Sequence, residues 1–336
     1  MHGVKRIRYS REALEAKQQR DKAKLQEYLA LTEEIISRKK NGDYSHEAFD
    51  LTTRMLRVNP EFYTVWNYRK TILVKEFFLK STPHQINDVL SGDLDMTTAF
   101  LKQHPKIYAI WNHRRWCLEQ VPEGPTEADP NGWKMANWKK ELYVVEKMLD
   151  VDARNFHAWN YRRYVLASMP VHRSEQSELD YTTRKIEANF SNFSAWHQRS
   201  KVLTTLWETG KANPAQNREE ELELVRNAMY TDPFDQSVWI YHRWLIGEGS
   251  DATILQAEIS SIQELLDEQP DSKWCMESLV HYKQLLLRNH SAIIGAEDRQ
   301  VVKTSCLDLL LQLQHVDSER KNRYGDLAVR IRDMDI

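Results

Sequence analysis

The residues best equipped for chemistry are arginines, and they recur on a fixed spacing. Five tryptophans, Trp66, Trp111, Trp159, Trp196 and Trp239, are each followed three or four residues later by cations: Arg69 with Lys70, Arg114 with Arg115, Arg162 with Arg163, Arg199, and Arg243. A guanidinium offers a planar fork of donors that suits carboxylate or phosphate oxygens. These cations fall early in a helix, where the helix dipole disfavours positive charge. Recurrence against that preference requires a compensating partner. Two readings stay open: a ladder of arginine–carboxylate pairs between neighbouring repeats, or a basic edge that meets another protein. No nucleophile–base pair, phosphate-cradling glycine loop, HExxH or GxGxxG accompanies them. On its own residues the chain is not expected to be a self-sufficient enzyme.

The elements that position these residues are visible as an internal repeat. The five segments are NPEFYTVWNYRK (59–70), HPKIYAIWNHRR (104–115), DARNFHAWNYRR (152–163), NFSNFSAWHQRS (189–200) and DPFDQSVWIYHR (232–243). Their tryptophans lie 45, 48, 37 and 43 residues apart, and a weaker sixth copy surrounds Trp274. Each motif follows an amphipathic stretch, as at 48–59, 141–152 and 221–232, with apolar residues at three- and four-residue intervals. Asn, Asp or His, often followed by Pro, ends that helix. A second helix then carries the tryptophan in its first turns. Hairpins of this kind stack into an all-α solenoid. The five tryptophans are its expected repeat core, filling the wedge between consecutive hairpins. Tyr63, Tyr108, Phe156 and Phe193, three residues before a tryptophan, are expected either in that core or facing a groove.

Around the repeats, residues 1–44 are expected to form an N-terminal arm and a charged helix over 10–40 that ends at Asn41-Gly42. The solenoid spans 45–316, with loop insertions at 122–132 and 209–217. Its last helix runs over about 297–315. The stretch 317–336 is expected to be a charged, partly disordered tail.

Composition narrows the function classes. Lys plus Arg is 47 against 49 Asp plus Glu, so a general nucleic-acid binder is not expected. Cys117, Cys275 and Cys306 are far apart with no CxxC pair, which excludes a disulfide framework and a cysteine-based zinc site within this chain. A reducing, cytoplasmic setting is expected. No apolar run is long enough for a transmembrane helix, and the first residues lack the apolar core of a secretory signal.

Five W-N-x-R-like cores, each preceded by an N-P or D-x turn, resemble the repeats of protein prenyltransferase alpha subunits, strongly over 45–247. Ordinary tetratricopeptide arrays keep a period of about 34. The resemblance implies a right-handed superhelical solenoid wrapped around a beta subunit in an obligate heterodimer. That beta subunit holds the catalytic zinc and the isoprenoid diphosphate, with magnesium on the diphosphate. In the farnesyl and type I enzymes a Lys five residues before the third-repeat tryptophan reaches the diphosphate. Here Arg154 stands there, which keeps the charge and points to the type II, Rab geranylgeranyl subfamily. Tyr108, His157 and Asn192 occupy similar positions and are candidates for the substrate rim. His2, on the N-terminal arm, is a candidate resting-state zinc ligand.

Asn155-Phe156-His157, residues 189–197 and residues 232–244 also resemble the type II alpha subunit. Animal members carry further domains after the helices, and this chain resembles the short, fungal-type form. The implied substrates are geranylgeranyl diphosphate and the C-terminal cysteines of Rab GTPases presented by an escort protein. Two alternatives compete: a farnesyl or type I alpha subunit, and a non-catalytic helical-repeat adaptor. A peptide-binding tetratricopeptide module fits the irregular spacing less well.

Overall fold

The computed structural model describes residues 10–334. Among them the chain is helical, with no strand beyond an isolated bridge between Thr126 and Asp129. Helix α1 (Arg11–Lys40) starts at Ser10, whose hydroxyl accepts from the Ala13 N–H, and Gly42 follows its end with a positive φ of 67°. Antiparallel pairs then follow in chain order: α2 (His46–Val58) with α3 (Tyr63–Ile72), α5 (Pro83–Gln103) with α6 (Tyr108–Glu119), and α7 (Gly132–Val151) with α8 (Phe156–Ser168). The short α4 (Phe78–Lys80) continues α3 beyond a π-helical turn over Leu73–Phe77.

The chain divides into two compact units, residues up to His172 and from Arg173 onward. The second unit holds α9 (Glu175–Ala188) with α10 (Phe193–Glu208), α11 (Pro214–Thr231) with α12 (Gln236–Ile246), α13 (Ala252–Glu268) with α14 (Lys273–Asn289), and α15 (Ala296–Val316) with α16 (Lys321–Arg332). Within each unit successive pairs pack on one another, α6 on α3 and α8 in the first, α12 on α10 and α14 in the second. This is the all-α stack of hairpins that the repeat implies.

Three expectations are corrected here. The loop at 209–217 is shorter, because Pro214 opens α11 at the position where its missing N–H costs nothing, and Asn213 caps it. The stretch after 316 is α16 and not a disordered tail: Tyr324, Ala328 and Ile331 are buried along one face against α15. Its charges occupy the other face, which hid the apolar spacing. In the sixth hairpin Ser272 caps α14, and the residue four places after the cap is Met276. The first five hairpins have their tryptophan at that register. Met276 is therefore the core residue, while Trp274 is half-buried with the Arg320 guanidinium 5.5 Å over its ring.

Candidate functional site

The turns between paired helices are held by the tryptophans themselves. All five are buried, and each indole Nε1 donates to the carbonyl six residues earlier: Pro60, Pro105, Ala153, Phe190 and Pro233, at 2.7–3.0 Å. The apolar ring fills the core while its one polar atom closes the turn.

The third residue after each tryptophan supplies the joints. Arg114 donates from Nε and Nη2 to both oxygens of Glu141, at 3.0 and 2.5 Å, in the next hairpin. Its Nη1 meets the Leu94 carbonyl and the Thr97 and Thr98 hydroxyls at 2.6–2.8 Å. Arg69 repeats this with Asp93, Thr52 and Thr53, and Arg199 with Glu221, Thr182 and Thr183. Arg162 is buried and donates to Glu146, which stands where the other hairpins have the second threonine. The ladder between neighbouring repeats therefore holds for Arg69, Arg114 and Arg199, while the Arg162–Glu146 pair lies within one hairpin. The paired threonines 16 and 17 residues before Arg69, Arg114 and Arg199 are a signal legible in the sequence.

The exposed residues lie in the turns. Tyr108 is 56% exposed, and its ring meets the His157 imidazole edge-on at 4.3 Å. Tyr63, Phe156 and Phe193 are exposed at the same register. Asn155, buried, accepts from the Ala158 N–H at 3.1 Å and donates to the Pro105 carbonyl at 3.5 Å, which ties the third turn to the second. Arg154 sits in that third turn, exposed, its backbone N–H on Asp152 Oδ1. Its guanidinium has no ion-pair partner among the described residues. Partial burial, and then the charge of Lys106, lower the His157 pKa, which favours the neutral imidazole. Lys106 is exposed and stands five residues before Trp111, the register of Arg154 one repeat earlier. Sequence reasoning passed over it although the offset is the same.

Known proteins share this arrangement. The chain matches the model for the protein prenyltransferase alpha subunit repeat at residues 45–75, 90–121, 138–169, 175–206 and 218–248. It is 38% identical to the geranylgeranyl transferase type-2 subunit alpha of Schizosaccharomyces pombe, over 99% of each chain. The Candida albicans protein of the same name is 34% identical, over 97% of this chain and 96% of that one. The chain belongs to the geranylgeranyl transferase type-2 alpha-subunit family. The Bos taurus member is 36% identical over 74% of this chain but only 42% of its own length. Among solved structures, Candida albicans protein geranylgeranyltransferase-I complexed with GGPP superposes with a TM-score of 0.70 over 91% of both chains. At 20% identity it attests the fold alone.

Within this alpha-subunit family frame, the candidate rim residues separate. Tyr108 and His157 come together, and Arg154 lies in the adjoining turn. Asn192 is corrected: it is wholly buried and caps α10 by accepting from the Ala195 N–H, so it cannot reach a substrate. His2 lies outside the described residues. Asp93, His113 and Cys117 bring three ligand-type atoms within 4.8 Å of one another. They do not suit a metal, because Arg69 already occupies both Asp93 oxygens and burial pushes the Cys117 thiol well up. No helix among the described residues is long and apolar enough to cross a membrane.

Proposed function

We propose that this alpha subunit works in a heterodimer with a beta partner, transferring geranylgeranyl from geranylgeranyl diphosphate to C-terminal cysteines of Rab GTPases presented by an escort protein. The reading is carried by Arg154. An exposed guanidinium beside the N-terminus of α8, with no carboxylate to neutralise it, has no local structural reason for its charge.

In the transfer a sulfur–carbon bond forms at C1 of the lipid and the carbon–oxygen bond to diphosphate breaks, its electron pair leaving on the diphosphate. Arg154, with Lys106 one repeat earlier, meets that growing negative charge. Tyr108 and the neutral His157 form a polar-edged aromatic wall beside it, suited to an isoprenoid chain. Zinc held by the beta partner would supply the cysteine as a thiolate, and magnesium would accompany the diphosphate. Both lie outside this chain, whose only described His/Cys/Asp cluster does not suit a metal.

The test is co-purification followed by assay. Native mass spectrometry of the tagged chain should show a one-to-one complex carrying one zinc. That complex should prefer geranylgeranyl to farnesyl diphosphate. Arg154→Gln should lower kcat about ten- to a hundredfold with the complex intact. A zinc-free monomer would leave a helical adaptor, and unchanged kcat in the variant would remove Arg154 from the diphosphate.

A further inference from the structure

Two of the cations four residues after a tryptophan, Lys70 and Arg115, rest on aromatic rings instead of joining the ladder. Lys70 lies over the Trp116 ring at 5.5 Å and Arg115 over the Tyr164 ring at 4.6 Å. Arg243 holds this register in the fifth hairpin, and it opens instead into a cavity of about 360 Å³ inside the second unit. Its Nε is buried with no acceptor, although the Tyr282 hydroxyl lies against another part of the guanidinium.

The cavity is walled by α12, α14, α15 and α16. Arg323 and Arg330 of α16 line its mouth, and neither has an ion-pair partner among the described residues. Of the two acids present, Glu277 accepts from the Tyr324 hydroxyl at 2.6 Å and pairs with Arg320 at 3.3 Å. Asp326 alone is left to oppose three arginines. The floor is the buried Leu310 and Leu313, with the Gln284 amide beside them. Burial, then the charges of Arg243 and Arg288, push the His281 pKa down to about 4.

We propose that this cavity is a binding site for a phosphate monoester, with Arg243 as the inner donor and Arg323 and Arg330 as the outer clamp. Arg243 lines the cavity together with Arg323 and Arg330, so an oxyanion entering it meets three guanidinium groups. At about 30 Å³ per water the space holds about a dozen waters. That exceeds one inorganic phosphate and admits the group that carries it. The carrier is either a free phosphorylated small molecule or a phospholipid headgroup.

The test uses the full chain in its heterodimer, at constant ionic strength. Calorimetric titration with inorganic phosphate and with soluble inositol trisphosphate should show saturable binding, tighter for the second. Arg243→Gln should weaken it about tenfold. The paired variant Arg323→Gln with Arg330→Gln, both exposed, should weaken it several-fold without changing the melting temperature. Co-sedimentation with phosphatidylcholine vesicles containing phosphatidylinositol phosphate would assign the site to a headgroup. Binding of the soluble probe alone would assign it to a free ligand. Absence of saturable binding, or binding indifferent to the paired variant, overturns the proposal.

Discussion

The joint between the second and third hairpins and the joint between the fifth and sixth solve one problem differently. At the first, with the two helices of each hairpin called A and B in chain order, Arg114 inserts from the B helix (α6) and grips both oxygens of the buried Glu141, while Tyr161 adds a third donor at 2.6 Å. At the second, His242 stands at the arginine register and donates from Nε2 to Glu258 at 2.9 Å, its other ring nitrogen facing the Tyr282 hydroxyl at 2.6 Å. The cation there comes from the A helix: Arg226, at the register of the second threonine, reaches Glu258 Oε1 at 2.6 and 3.0 Å. A buried carboxylate between hairpins is thus the fixed element, and the cation that neutralises it can come from either helix. The difference is exposure. Arg114 is 1% exposed at its side chain and Arg226 is 37% exposed.

The largest effect expected is at the closed joint. Arg114→Ala strands Glu141 without its counter-charge, and urea unfolding of the first unit should show a loss of about 3–5 kcal/mol. Acid tests the same kind of joint at Asp93. Burial alone would raise its pKa, but hydrogen bonds from His113 and Arg69 and the charge of Arg69 hold it at about 2, against an ordinary 3.8. The folded state therefore binds this proton less readily than the unfolded one. The resulting stabilisation, about 2 kcal/mol, is complete above pH 3.8 and disappears as pH falls toward about 2. Asp93→Asn should abolish that part of the acid transition in circular dichroism.

At the open joint the effects shrink. Glu258→Gln keeps an acceptor for His242 and leaves a cation that water can reach, so about 1–2 kcal/mol is expected in thermal unfolding. Arg226→Ala should cost about 1 kcal/mol or less, because solvent screens the partly exposed guanidinium and the buried Glu258 keeps its hydrogen bond from His242. If Arg226→Ala proved as damaging as Arg114→Ala, the distinction between closed and open joints would fail.

Local chemistry explains how much was legible. The tryptophan registers, the cap-then-helix rhythm and the proline starts are short-range properties, so the sequence alone specified the hairpins and their order. Arg154 is singled out through the resemblance, by its place five residues before Trp159, and its exposure comes only from the structure. The threonine pairs and Lys106 were equally readable by offset. Met276 could be found only by counting from the cap at Ser272, since Trp274 matched by type and not by register.

What the sequence determined by itself is therefore the repeat: its helices, its turns and the need for something to neutralise a cation early in each B helix. Only the tertiary structure decided what that something is. Arg114 and Glu141 are 27 residues apart, and no spacing rule reaches across two turns to pair them. The same holds for Tyr108 and His157, for the three arginines around one cavity, and for a charged C-terminal segment that became a helix. In each case the decisive term is a contact between separate helices, which depends on how they pack and not on any one stretch of chain.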